Sequence, residues 1–329
     1  MAGSTDGGRR ALAGAALPIA VALAALAGLW RPDTGNLLAG SGALELMVPA
    51  VMFLISLRVD GSQLADAVRH PLPLIASLAI VFGLFPPVAL GWHALLGPPG
   101  PDGRTAMLIL ASQPSTLATA AVLTSIGGGN VALALVCTAV SQIASAAMTP
   151  LLLAAYVGAT VHVDVGGLAR DLAIHVLLPI VAAQALRLPL RARLDRAGPW
   201  PALGAEAIVV AFVLVGFSRA RPMLFSDPGL ALAAVAAVTG IHATMLAASA
   251  AAGSLILRSG GDRLAFTMAA SQKTVAAGIL VWQSGFPANP IGPLFLVLHH
   301  LVQTVGDALL APRAARVRVG RWRPFRSDR

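Results

Sequence analysis

The sequence predicts an all-α polytopic membrane protein: ten transmembrane helices forming two inverted repeats of five, with helices four and nine discontinuous. Three observations carry this. Of the 329 residues, 57% are apolar and 11% charged, whereas soluble domains carry roughly 25% charged residues. Ten apolar runs follow one another, each close to the 20 or so residues that cross a bilayer. The second half of the chain repeats polar landmarks of the first.

The first run, 11–29, follows Arg9-Arg10 and resembles a signal peptide. More spans follow it, so it reads as a retained first helix that also directs insertion. The others run over 38–57, 72–96, 104–126, 130–157, 170–188, 203–220, 229–257, 263–284 and 291–311. Polar punctuation separates most of them: Arg31-Pro32-Asp33, Arg58 to His70, Gly97 to Gly103, His162 to Asp164, Arg191 to Arg196, Arg221 to Asp227 and Arg258 to Arg263. The gaps after spans four and nine are short and uncharged, which predicts tight hairpins. In the first, Gly127-Gly128-Gly129-Asn130 lacks the lysine and the strand of a phosphate loop and reads as a turn, with Asn130 capping span five. Asn289-Pro290 serves span ten in the same way.

The net charge of +9 does not point to nucleic acid, because the arginines lie between apolar runs and in the tail. With the N-terminus inside, the inner segments hold 17 arginines and the outer ones 5. Both termini are therefore expected in the cytoplasm, with the basic tail 313–329 against anionic headgroups or simply solvated. The lone Cys137 sits within an apolar run and is expected to serve packing; no disulfide framework or metal spacing is present.

At a shift of 161, Leu17-Pro18-Ile19 falls on Leu178-Pro179-Ile180, Glu45 on Glu206, Arg58 on Arg219 and Gln142 on Gln303. At 159, Arg104 falls on Arg263, Ala111-Ser112-Gln113 on Ala270-Ser271-Gln272, Ser125 on Ser284 and Asn130 on Asn289. The repeats are 1–158 and 159–312. Five spans in each make the second enter the membrane upside down, as in secondary transporters whose sites lie on broken helices at the midplane. Spans four and nine are the candidates. Pro114 lacks an N–H and disfavours helical backbone at Gln113; the break at Ser271-Gln272-Lys273-Thr274 rests on symmetry alone.

Lys273 is the only lysine among 23 basic residues, and it sits inside an apolar run. An intramembrane ammonium marks a functional site by default, and lysine, unlike arginine, can shed its charge when desolvated. Two half-helix N-termini beside it favour an anion. Gln113, Pro114, Ser115, Thr116, Gln272, Lys273, Thr274, His300 and Gln303 are the candidate substrate residues; Thr119, Thr138, Gln142, Ser271 and Lys273 are the candidates for ion binding or coupling. For Gln303, His300, Thr138 and Gln142 two readings stand: lining a cavity, with His300 relaying protons, or interhelical hydrogen bonding. His175 and His242 read as isolated core histidines. Glu45 and Glu206 read as interface residues or partners of Lys273.

The stretches Gln113-Pro114-Ser115-Thr116, Thr124 to Ala134, Thr149-Pro150-Leu151-Leu152, Met52 to Leu64, Ser271-Gln272-Lys273-Thr274 with Gly278, and His300-Leu301-Val302-Gln303 together resemble the bile acid:sodium symporter superfamily, in its SBF-like, sodium/bile-acid-cotransporter-7-like branch. The resemblance implies a panel of helices 1, 2, 6 and 7, a core of helices 3–5 and 8–10, crossing of helices four and nine at their breaks, and alternating access for organic anions carried with sodium. Sodium-coupled members place a glutamate on the ninth helix and a Ser-Asn pair on the fourth. This chain has Ser271-Gln272-Lys273 and Thr119-Ala120 there. The expectation is that the Lys273 ammonium stands in for the missing cation, with transport proton-linked or uncoupled. No cofactor is expected beyond sodium or a proton as coupling ion. The expected partners are a small organic anion and membrane lipids, in a plasma (inner) membrane. The alternatives are a non-transporting regulatory or scaffold protein, and an oxyanion or arsenite exporter, which would need a cysteine in the crossing region rather than at Cys137. An enzyme is not expected, since no catalytic motif appears in the spans.

Overall fold

A computed structural model describes residues 3–59, 71–98, 100–158, 163–289 and 291–319, with side chains from Ala16 to Arg313 except at Ala192 and Asp195. The polar segment 60–70, His162, Pro290 and the tail beyond 319, on which parts of the sequence reading fall, lie outside the described residues. Every regular element among those described is helical. In chain order they are α1 Gly3–Trp30, α2 Pro32–Gly40, α3 Ala43–Ser56, α4 Leu72–Leu78, α5 Phe85–Leu96, α6 Pro101–Ala111, α7 Leu117–Ile126, α8 Val131–Val157, α9 Val165–Leu172, α10 Leu178–Ala197, α11 Trp200–Ser226, α12 Pro228–Ile256, α13 Gly260–Ser271, α14 Val275–Gly285 and α15 Gly292–Val319.

The helix starts follow local chemistry. Asn130 Oδ1 accepts from Leu133 N at 3.1 Å to open α8, and Asp227 Oδ1 accepts from Leu230 N at 2.9 Å to open α12. Ser259 Oγ takes the N–H groups of Gly261 and Asp262 at the head of α13. Each side chain satisfies a donor that the first helical turn leaves free. Between α8 and the helix before it, Gly128 adopts φ 66°, a left-handed conformation that glycine enters without steric cost.

Two π-helical turns, Ala79–Leu84 and Ala173–Leu177, join α4 to α5 and α9 to α10. Both stand just before proline, Pro86-Pro87 in one case and Pro179 in the other. A residue without an N–H cannot close the normal ladder, and the chain widens instead.

By length and composition, seven described helical segments are able to cross a membrane, or eight if α1 and α2, bent by 95°, count as one. Three of the ten expected spans are not among these seven, and one of them, span four, was expected to be discontinuous. Span one carries the bent extension α2. Span two was expected over 38–57, but the chain turns at Ser41-Gly42, with Gly42 at φ 73°, leaving a 14-residue apolar helix, α3. Span four is divided into α6 and α7.

Burial follows position relative to the divided helices. Residues 105–121 and 264–282 are buried at every position. Leu23, Leu26, Leu232 and Leu255 of α1 and α12 instead expose their side chains on the outside of the bundle, as a lipid-facing surface requires.

Candidate functional site

The site is built on two interruptions of helix. The first, Ser112 to Thr116, separates α6 from α7, and the second, Gln272 to Thr274, separates α13 from α14. At both, the backbone groups released from helix find other partners, as buried polar groups must. In the first, Thr149 Oγ1 donates to Ser112 O at 2.6 Å, Ser115 N donates to Ser141 Oγ at 3.1 Å, and Gln142 Nε2 donates to Ser115 O at 2.8 Å. In the second, Gln303 takes both groups of one residue: Lys273 N donates to Gln303 Oε1, and Gln303 Nε2 donates to Lys273 O, each at 2.8 Å. The interruptions touch, since Thr274 N donates to Pro114 O at 3.0 Å.

The outer ends of the same helices are joined reciprocally. Asn130, after α7, donates from Nδ2 to Asp262 Oδ1 in the first turn of α13, at 2.8 Å. Asn289, after α14, donates from Nδ2 to Asp102 O in the first turn of α6, at 3.0 Å. The two broken helices therefore run antiparallel and meet at their breaks.

Lys273 is 1% exposed. Its Nζ donates to Val81 O at 2.6 Å, Ala111 O at 2.8 Å and Gln113 O at 2.6 Å, and lies 4.1 Å from the centroid of the Phe85 ring. Each carbonyl is free for a local reason. Ala111 O has lost its helical donor, because Ser115 N is turned to Ser141. Gln113 O belongs to the break. Val81 lies in the π turn, where Phe85 N bonds Ile80 O; the next donor in that register would be Pro86, which has none. Three acceptors at these distances match the three N–H donors of an ammonium, with every proton used. Among the described residues Lys273 has no acidic partner: Glu45 is exposed and Glu206 lies half-buried within Coulombic reach of Arg58. Nor does this geometry leave a donor on Nζ for an incoming anion.

Residues 15–316 match the model of the SBF-like CPA transporter family. The chain belongs to that family. Its apolar helices make this family member a multi-pass membrane protein. It is 26% identical over 281 residues to an uncharacterized protein of Pseudomonas aeruginosa, covering 82% of this chain and 83% of that one. It is also similar to two proteins named as probable chloroplastic sodium/metabolite cotransporters. BASS1 of Arabidopsis thaliana is 32% identical over 168 residues, 51% of this chain and 41% of that protein. BASS4 of Oryza sativa subsp. indica is 30% identical over 226 residues, 63% of this chain and 53% of that protein. The chain thus spans about half the length of these plant relatives.

In this SBF-like chain, Gln113, Pro114, Ser115, Thr119, Gln142, Gln272, Lys273, Thr274 and Gln303 come together around the two breaks. His300 joins through Nδ1, 3.1 Å from Gln303 Nε2. Thr116 and Thr274 precede α7 and α14 without capping them by side chain, and Ser115 Oγ and Ser271 Oγ are buried without a partner. Thr138 is turned away, donating to Ala134 O and Leu135 O of its own helix. Cys137 packs with Leu74, Val136 and Ala269.

The sequence reading missed Asp307, and with it His242, which is not isolated. His242 Nε2 lies 2.9 Å from Asp307 Oδ1, and Gln272 Nε2 donates to Asp307 Oδ2 at 2.6 Å. Thr119 Oγ1 donates to Gln272 Oε1 at 2.9 Å. The available signal was an aspartate within the apolar run of span ten, one turn beyond Gln303. Ser141 and Thr149, which hold the first break, were not among the candidate site residues; Thr149 entered only through the stretch Thr149-Pro150-Leu151-Leu152, and Ser141, a hydroxyl in an apolar helix, carries no distinctive pattern.

Proposed function

We propose that this chain is a secondary transporter of a small organic anion that works by alternating access, with the Lys273 ammonium permanently occupying the place of a coupling cation. The observation that carries the reading is the set of three backbone carbonyls on Nζ. Carbonyl oxygens from broken or widened helix are the ligands that unwound transporter helices offer to alkali cations. Here a side chain supplies the charge, so coupling to sodium is replaced by a proton or dispensed with. The names of the plant relatives support a transporter rather than an enzyme, and the carbonyl set supports a transport step that does not depend on sodium.

The anion would sit at the N-termini of α7 and α14. Their first turns have no side-chain cap, and Ser115 and Ser271 hold buried, unpartnered hydroxyls beside them. N–H groups and helix dipoles then bind the charge, while Lys273 contributes its field across the break rather than a direct contact.

Ten spans in two inverted repeats, 1–158 and 159–312, best account for the reciprocal Asn130 and Asn289 contacts and for Gln142 and Gln303 serving opposite breaks. Helices α1, α3, α10 and α11 would form the panel that the core moves against. Both termini would be cytoplasmic in an inner, plasma membrane, on the arginine distribution.

The test is thermal stability of the purified protein against sodium for wild type and Lys273→Ala. Wild type should show no sodium dependence. The variant, with three carbonyls left facing one another, should be stabilised; sodium at about 100 times its Kd would add about 2.7 kcal/mol. Strong sodium stabilisation of wild type overturns the reading.

A further inference from the structure

The ionisable side chains buried among the described residues, Cys137 aside, are five: His242, Lys273, His299, His300 and Asp307. They form one group. Asp307 is 0% exposed and accepts from Gln272 and His242. Because a carboxylate accepts, His242 Nε2 is the protonated nitrogen, and in the neutral ring Nδ1 carries the lone pair. His242 Nδ1 has no hydrogen-bond partner. His299 stands edge-on to the His242 ring, centroids 5.6 Å apart, with both nitrogens unpartnered.

We infer that the Asp307–His242 pair is a proton-binding site wired to the crossing breaks through Gln272, and that it admits one proton with each univalent anion. The proton goes to His242 Nδ1, giving an imidazolium held by the Asp307 carboxylate. Gln272 carries the link: its amide nitrogen is on Asp307 and its amide oxygen is on Thr119, in the first turn of α7. Charge balance sets the ratio. With the histidines neutral, Lys273 and Asp307 cancel. An anion arriving alone at the breaks leaves an uncompensated charge in low dielectric, which is costly, whereas an anion with a proton on His242 leaves none. The anion part rests on the reading of the breaks proposed above; the proton site does not.

The groups that face the pair are few. On α15 His299 stands edge-on to His242, with His300 and Lys273 within Coulombic reach of His299, and α5, packed against α12, carries the partly buried His93. On α12 there is no other titratable side chain, and α7 and α8 offer hydroxyls and amides near the breaks. The outlying charges of the helices packed nearby are engaged elsewhere: Asp262 with Asn130, Arg263 with Leu257 O, and Arg313 with Leu309 O.

The experiment is an infrared difference titration between pH 9 and 5 of the full chain in phosphatidylcholine vesicles, without substrate, for wild type, His242→Gln, Asp307→Asn and Gln272→Leu. The chain has seven histidines, and one component of the acid-induced imidazolium signal of wild type should belong to His242. That component should be lost in His242→Gln, and displaced along the pH axis in Asp307→Asn and in Gln272→Leu, which touches Asp307 but not His242. His242→Asn replaces His242→Gln if the latter does not fold. An imidazolium signal in both His242 variants equal to that of wild type, or a Gln272→Leu titration that superimposes on wild type, overturns the inference. None of these outcomes bears on anion transport itself, and sodium stabilisation of wild type would leave the titration standing.

Discussion

The two breaks do the same work by different means. The first is written into the chain: Pro114 cannot donate, and Ser112, Gln113, Ser115 and Thr116 surround it with polar groups. The second, Gln272 to Thr274, contains no proline or glycine, and its residues are compatible with a continuous helix. It is held open from outside, by Gln303 on both main-chain groups of Lys273 and by Pro114 O on Thr274 N. The first break is thus marked by covalent geometry and held by packing, while the second is held by packing with no such mark. The division suits a moving part. The first break supplies fixed carbonyls, and the second supplies the cation that docks on them.

That difference sets the expected sensitivity of each side. The largest effect should come from Lys273→Arg. The charge is kept, but a planar guanidinium must enter a space closed by three carbonyls and Phe85, with surplus donors that have nowhere to go. Overpacking and unsatisfied donors together should cost about 3 kcal/mol or more, read as a lower thermal midpoint. A stable, active Lys273→Arg protein would show that charge alone is needed there. Next comes the pair Gln303→Leu and Gln142→Leu. The former strands two buried main-chain groups and the latter one, so costs of about 2–5 and about 1–3 kcal/mol are expected. If Gln142→Leu proves the more damaging in denaturant unfolding, the second break does not depend on its external support.

Much of this contrast is readable without coordinates, and the boundary is physical. Lys273, Gln142 and Gln303 stand out because polar side chains are scarce in apolar runs, and Pro114 because its covalent geometry acts locally. Asp307 sits in the same kind of run, but near a span end, where an acid passes for an interface residue. Its partner His242 is 65 residues away, and only folding brings the two together. The carbonyl of Val81 is invisible for another reason. It is backbone, and the signal that frees it is Pro86, which a scan for side-chain chemistry passes over. The shortening of span two turns on Gly42 alone, too little to register against an apolar run.

The outer lashings test the repeat relationship rather than the breaks. Asn130→Ala removes a helix cap and the bond to Asp262, and Asn289→Ala removes the bonds to Ile291 N and Asp102 O. Each should cost about 1–2 kcal/mol, and the two costs should be close. A several-fold inequality in unfolding would mean that the two ends of the crossing are not equivalent.

The smallest effect should come from the residue that most plainly marks the site in the sequence. Pro114→Ala restores an N–H and removes the steric bar to helix. However, Ala111 O and Gln113 O would still be held by the Lys273 ammonium, the carbonyl of residue 114 by Thr274 N, and Ser115 N by Ser141 Oγ. Extending α6 through the break would strip the acceptors from a buried charge, which a single new helical bond of about 1 kcal/mol cannot offset. The substitution should therefore cost only the added freedom of the unfolded chain, about 0.4–1 kcal/mol, with unchanged helix content by circular dichroism. If helix content rises and stability falls by several kcal/mol, then Pro114 is what keeps the first break open, and Lys273 merely occupies carbonyls that the proline has already freed.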